Sequence, residues 1–342
     1  MKTVNRREFL QTSSALLCTS LITESPYRAA KDSIMTVRGP IRPSKAGTFL
    51  SHEHILVDFI GADKVSPSRY DLTDVYRKAL PFLNEAKRHG CSTFVECTPN
   101  YLGRDVRLLK QLSVATGMNI LTNTGYYGAM GEKFLPAHAF KESYQQIADK
   151  WIAEFRSGID GTTVRPGFIK TSVDKAPLSA VQKKIIQAAA VTHLQTGLTI
   201  GIHTGDGKAA TEELEILRSM GVSPQAYIWI HAQNENDFSL HINAARSGAW
   251  IEFDGVNPET AARHIEFLQS MKSASVLNKC LISQDSGWYR VGETGGGKYT
   301  GYSFMLSEFV KQLASKGFTP QEIEMLLKRN PAQAFTISVR KL

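Results

Sequence analysis

The chain has 342 residues, 42% of them hydrophobic, enough to bury one large core or two modest ones. Its formal net charge of +8 is spread thinly over pairs such as Lys183-Lys184 and Lys328-Arg329, with no basic run interleaved with aromatics, so it reads as solvated helix faces and no nucleic-acid partner is expected. Four cysteines, one of them (Cys18) near the N-terminus, leave a sparse, odd set of Cys91, Cys97 and Cys280 that is not a disulfide framework.

In chain order, residues 1–30 differ from the rest. Asn5-Arg6-Arg7-Glu8-Phe9-Leu10 followed by the mildly apolar residues 11–22 has the order of a twin-arginine export signal rather than a frayed helix. The apolar part is far shorter than the roughly 20 residues a membrane span needs. The expectation is an exported protein, periplasmic or otherwise extracytoplasmic, with no membrane span and no clean cleavage triplet before Lys31.

Residues 31–342 read as one domain. Eight apolar, β-branched runs recur at 48–56, 92–98, 119–126, 167–172, 198–203, 227–231, 249–254 and 280–285. Amphipathic stretches with three- and four-residue apolar spacing lie between several of them, at 74–89, 104–116, 140–157, 179–196 and 211–220. Strand-helix alternation repeated in this way predicts an α/β fold of the (β/α)8, or TIM, barrel type. Continuous apolar runs suit strands covered on both sides.

Polar residues cluster where those runs end. His52 and His54 close the first, Lys170 the fourth, His203 the fifth, His231 the sixth and Asp285 the eighth. In such barrels the C-terminal mouth carries the chemistry. Side chains two apart on a strand point the same way, so His52 and His54 project together while Glu53 turns to the opposite face. One histidine at a strand end is ordinarily a hydrogen-bonded structural residue; the whole set is what points to a metal site. His89, His138, His193, His241 and His264 fall in helices or loops and are read as structural. Four imidazoles and a carboxylate suit zinc or a similar divalent ion, but five ligands exceed one tetrahedral site and fall short of two. Lys170 leaves two readings open: a structural ion pair, or a neutral amine that takes up carbon dioxide to give a bridging carbamate.

With these residues in view, the chain resembles the phosphotriesterase family of the amidohydrolase superfamily. The resemblance runs through Val37-Arg38-Gly39-Pro40-Ile41, His52-Glu53-His54-Ile55, Leu102-Gly103-Arg104-Asp105-Val106, Thr124-Gly125-Tyr126-Tyr127, Phe168-Ile169-Lys170, His203-Thr204, Ile230-His231, Phe253-Asp254, Ser283-Gln284-Asp285 and Asn330-Pro331-Ala332. It implies that His52, His54 and Asp285 hold a buried metal, that His203 and His231 hold a more exposed one, and that carbamylated Lys170 and a hydroxide bridge them. It also implies that Asp285 takes the proton as the bridging hydroxide attacks a small-molecule substrate; relatives are often homodimers, and the oligomeric state of this chain is left open. Where well-known members carry an Asp three residues after the sixth-strand histidine, this chain has Asn234, and Gly255 follows Asp254 where relatives often place His or Arg. An amide cannot shuttle a proton, so a fast phosphotriesterase is not expected and a lactone or carboxylic ester is. A phosphotriester, an amide or cyclic imide, and a non-catalytic metal- or ligand-binding barrel are the alternatives.

Three further residues are expected at the substrate: Tyr127, through its ring or hydroxyl; Asp254; and Lys298. The last sits in Gly292-Glu293-Thr294-Gly295-Gly296-Gly297-Lys298-Tyr299, which fails as a nucleotide-binding loop at Tyr299. It reads as a flexible lid whose amides and lysine could cradle an anion. Glu96 and Cys97, closing the second run, are within reach of the pocket; Glu96 is kept out of the metal shell because Lys170 is present, and Arg104 with Asp105 is expected to form a structural pair.

Overall fold

A computed structural model of the chain describes residues 31–342; the export signal assigned to residues 1–30 lies outside them. After an antiparallel hairpin (Ile34–Thr36 with Gly39–Ile41) come eight barrel strands: β1 Thr48–Glu53, β2 Cys91–Glu96, β3 in two pieces, Asn119–Leu121 and Asn123–Thr124, β4 Phe168–Ser172, β5 Thr199–His203, β6 Tyr227–Ile230, β7 Trp250–Phe253 and β8 Cys280–Ile282. Each pairs in parallel with the next, from β1 through to β8. The seam from β8 back to β1 is made differently. Ser51 Oγ donates to the Ile282 carbonyl (3.1 Å), the His52 amide donates to Ser283 Oγ (2.9 Å), and the Asp285 amide donates to the His52 carbonyl (3.0 Å). The barrel therefore closes through the residues that flank its ligands.

The helices α1 Leu72–Arg88, α2 Val106–Thr116, α3 Ala137–Lys141, α4 Tyr144–Ser157, α5 Ala180–Thr196, α6 Gly207–Ser219, α7 Phe238–Arg246 and α8 Ala261–Ser273 follow their strands. Several starts are set by side-chain caps that satisfy free amides: Asp71, Asp105, Asp206 and Asp237, with full capping boxes at Ser143 and Ser179. The cap at Ser143 divides the single helix expected over 140–157 into α3 and α4. Periodicity missed α7 and α8. In α7 the buried face is only His241, Ala244 and Ala245, too small an apolar stripe to stand out.

Two apolar layers hold the barrel. One lies between strands and helices and includes Leu83, Leu112, Trp151, Ile185 and Ile251. The other fills the N-terminal end of the barrel with Phe49, Val95, Leu121, Phe168, Trp250 and Leu281, and is closed by Phe335 after the last helix, Asn330–Ala334. The Phe335 ring stacks on Phe49 at 6.3 Å and meets Phe168 edge-on at 5.4 Å. Cys91, Cys97 and Cys280 are buried free thiols. Among the described residues no helix is long and apolar enough to cross a membrane.

The expected Arg104–Asp105 pair is replaced by two separate roles. Arg104 reaches Glu154 on α4 (2.6 and 2.9 Å) and the Asn123 carbonyl (2.8 Å). Asp105 caps α2 at the Arg107 and Leu108 amides (3.0 Å each) and accepts from the Tyr70 hydroxyl (2.7 Å). The start of a helix offers Asp105 unpaired amides that its neighbour's guanidinium would have to displace.

Candidate metal centre

Inward positions on one strand recur every second residue, so three strands climb from apolar to polar: Phe168 then Lys170 on β4, Trp250 then Glu252 and Asp254 along β7, Leu281 then Ser283 and Asp285 beyond β8. Strands β1 and β6 bring their histidines in by breaking that register, at a shift between Leu50 and Glu53 and at His231 with a φ of 60°. At the C-terminal mouth the expected residues come together. Ring centroids lie 5.4 Å apart for His52–His54, 5.0 Å for His52–His231 and 4.3 Å for His203–His231. Asp285 Oδ1 stands 3.1 Å from His54 Nε2 and 3.7 Å from His52 Nε2. Lys170, 1% exposed, extends its amine to 5.9 Å from the Tyr127 ring, which packs edge-on against His203 at 5.2 Å. Among the described residues Lys170 makes no ion pair, which removes the structural pairing left open above.

The donor set fits a divalent metal. Donor atoms of His52, His54 and Asp285 lie within 4.8 Å of one another, and Asp285 Oδ1 is buried with no hydrogen-bond partner of good geometry. A buried carboxylate oxygen without a donor is rare unless a cation belongs beside it. Burial pushes His54 down to about 4. It pushes His203 well below its usual value too, helped by the charges of His231 and Lys170. Both imidazoles are therefore neutral at pH 7, the form that binds metal. His52 goes the other way: burial lowers it, but Cys97 and Asp254 outweigh burial and raise it well above its usual value. Burial also lowers Lys170. For Asp285, burial raises the carboxyl, but the His54 imidazole 3.1 Å away and the His52 and His231 imidazoles hold it at about 2, so it is an anion at neutral pH.

Several partners orient the ligands. His54 Nδ1 meets Thr98 Oγ1 at 2.7 Å and His231 Nδ1 meets Asp254 Oδ1 at 2.5 Å, leaving each Nε2 free. Asp254, which the sequence placed at the substrate, is 0% exposed and sits behind the imidazoles; it also accepts from the His231 amide (3.1 Å) and Gln233 Nε2 (2.7 Å). Its donor atom groups with His52 and His231 within 4.8 Å, but those hydrogen bonds already engage both of its oxygens. Tyr127 is 8% exposed, its hydroxyl 3.2 Å from His203 Nδ1. Burial, with the Asp285 charge, pushes that phenol up, so it remains a proton donor. Lys298 is exposed, with no contact to the six ligands among the described residues. Its loop is anchored by Tyr299, which is buried, stacked on Phe82 at 4.8 Å and bonded to the Tyr302 hydroxyl.

Sequence reasoning missed Glu252 and Trp288. Glu252 Oε2 lies 3.5 Å from His52 Nδ1, and its two-residue offset from Asp254 was the available signal. Trp288 stacks on His54 at 4.0 Å and donates its Nε1–H to the Asp285 carbonyl (2.7 Å) from a left-handed φ of 74°; no sequence pattern announces that geometry. Of the histidines set aside, His193, His241 and His264 are buried and bonded to the Leu198, Ala232 and Asp254 carbonyls (2.8, 2.8 and 2.7 Å).

Comparison with known proteins agrees with this geometry. The phosphotriesterase homology protein of Escherichia coli (strain K12) is 27% identical over 293 residues, covering 84% of this chain and 98% of that protein. The N-acetyltaurine hydrolase of Danio rerio is 24% identical over 347 residues, covering 89% and 97%. A solved structure from the engineering of organophosphate hydrolysis on a weak promiscuous lactonase template superposes with a TM-score of 0.79 at 25% identity, covering 89% of this chain and 99% of that one. The model of the phosphotriesterase family matches residues 32–335. The chain thus belongs to the phosphotriesterase family, whose members are binuclear metal-dependent hydrolases.

Proposed function

We propose that the chain hydrolyses a lactone or related carboxylic ester, with two zinc ions in the mouth and Lys170 as a carbamate between them. The observation that carries this reading is the placement of Tyr127, a protonated phenol 3.2 Å from His203, where it can donate to an ester oxygen. Bound metals would supply an activated water and polarise the scissile carbonyl. The protein groups do the rest. Thr98 and Asp254 fix the imidazole tautomers of His54 and His231. Asp285, anionic and a quarter exposed (24%), can accept the proton and pass it to the leaving oxygen. In its neutral form, which burial favours, the Lys170 amine attacks carbon dioxide; an N–C bond forms, one proton leaves and an anionic carbamate remains.

An aromatic arc adds to the reading. It runs from His54 through Trp288 (4.0 Å), Phe59 (5.9 Å), Phe134 (6.0 Å) and Tyr127 (5.8 Å) to His203 (5.2 Å), giving the mouth one apolar wall. A panel of lactones, aryl and alkyl esters, phosphotriesters and N-acyl amides tests the assignment on protein of measured metal content. Turnover of lactones or esters above the other classes supports it. Preference for an amide, the bond in the substrate that names the Danio rerio relative, would replace it. Two bound metals with no turnover would point to a binding protein. Export by way of Arg6-Arg7 belongs to the same proposal, and a double Lys substitution there should hold the protein in the cytoplasm.

A further inference from the structure

We propose that Glu53, the middle residue of His52-Glu53-His54, is a positioning residue that clamps the Asp285 turn over the metal ligands. The inference rests on the binuclear reading of the site and is independent of the substrate. Glu53 is 0% exposed. Its Oε1 accepts from Ser283 Oγ (2.7 Å) and the Gln284 amide (3.0 Å), and its Oε2 accepts from the Ser286 amide (2.8 Å). One carboxylate thus grips the chain on both sides of Asp285.

Asp285 needs that grip because its φ is 51°, in the left-handed region that L residues seldom hold without outside constraint. The same turn is stitched to β1 by the Asp285 amide on the His52 carbonyl (3.0 Å) and the His54 amide on the Ser286 carbonyl (2.8 Å). Ser283 Oγ also receives the His52 amide (2.9 Å), so its hydroxyl links the first ligand to Glu53. At Gly287 a Cβ would stand 1.8 Å from the His54 carbonyl; the turn passes in backbone contact with the strand. Replacing the carboxylate by an amide sets an NH2 against amide donors. The turn then loses an acceptor, and Asp285 Oδ1 loses its fixed place 3.1 Å from His54 Nε2.

The experiment pairs Glu53→Gln with the milder Ser283→Ala. Amide hydrogen exchange is followed in the metal-free protein, and cobalt(II) is titrated by its visible absorption. For Glu53→Gln we expect at least tenfold faster exchange confined to the 283–288 segment, and at least tenfold weaker binding of one of two cobalt ions. Ser283→Ala should show the same pattern with smaller size, and decides the matter if Glu53→Gln does not fold. Unchanged local exchange and cobalt affinity in both variants would overturn the proposal, as would faster exchange spread evenly over the barrel with cobalt binding intact. Failure of the substrate panel would leave both measurements standing; a wild-type chain that binds no cobalt would sink the binuclear reading, while exchange still reports the clamp.

Discussion

The two ends of the barrel are built from the same strands and do opposite work. At the N-terminal end, Phe168, Trp250 and Leu281 meet Phe49 and Phe335 in a closed apolar plug. Two and four residues further along, the same inward register carries Lys170, Glu252, Asp254, Ser283 and Asp285. Period-two alternation makes every inward side chain of a strand a rung on one ladder. The lower rungs bury apolar area, and that rigidity lets the upper rungs hold buried, partly unpaired polar groups such as Asp285 Oδ1 and His52 Nδ1.

If that division holds, substitutions at the two ends should fail in different ways. Asp285→Asn should lower kcat by about 10³-fold, within the range for a lost proton-transfer group, while the thermal midpoint of the metal-free protein moves little; full activity would remove Asp285 from the chemistry. Phe168→Ala should cost about 3–5 kcal/mol in urea unfolding and leave the specific activity of the folded fraction unchanged. A drop in specific activity as well would mean the plug and the mouth are not separable.

Between these extremes lies the layer behind the ligands. Asp254→Asn should weaken metal binding by about 10- to 100-fold, read by competition with a chromophoric chelator. Acid tests the polar groups away from the mouth. His193 and His241 are held down to about 4, chiefly by burial. Below the unfolded value of about 6.5 the unfolded chain takes up protons that the folded chain refuses. Stability is therefore lost as pH falls from about 6.5 toward 4, on the order of 2 kcal/mol for each at pH 5. Urea midpoints at pH 7 and pH 5 in the His193→Gln variant measure it; an unchanged pH slope would contradict the assignment. The smallest effect is at the rim. Lys298→Ala should raise KM for an anionic substrate by about two- to fivefold, the scale of an exposed charge, and spare a neutral one.

Much of this was legible before any coordinates. The alternation of apolar runs with amphipathic stretches named the barrel, and the polar residues closing those runs marked the six candidate ligands that the mouth gathers. What stayed hidden had identifiable causes. The helix α7 buries only His241, Ala244 and Ala245, a face too small for periodicity to amplify. Asp254 looks the same in sequence whether it meets a substrate or two imidazoles, and only its 2.5 Å contact with His231 separates those roles. Arg104 and Asp105 are adjacent in the chain, yet a helix start claims one and Glu154 the other.

The sequence by itself determined the fold class, the order of the strands and which side chains carry metal-binding chemistry, because those follow from local period and residue type. Tertiary structure alone decided how the barrel closes, which carboxylates sit behind the ligands, and that Glu53 grips both sides of Asp285. Those contacts join residues about 230 positions apart, such as Ser283 and Glu53. No local pattern encodes which distant partner a buried polar atom will find; that is settled only when closing the barrel brings the first strand against the last.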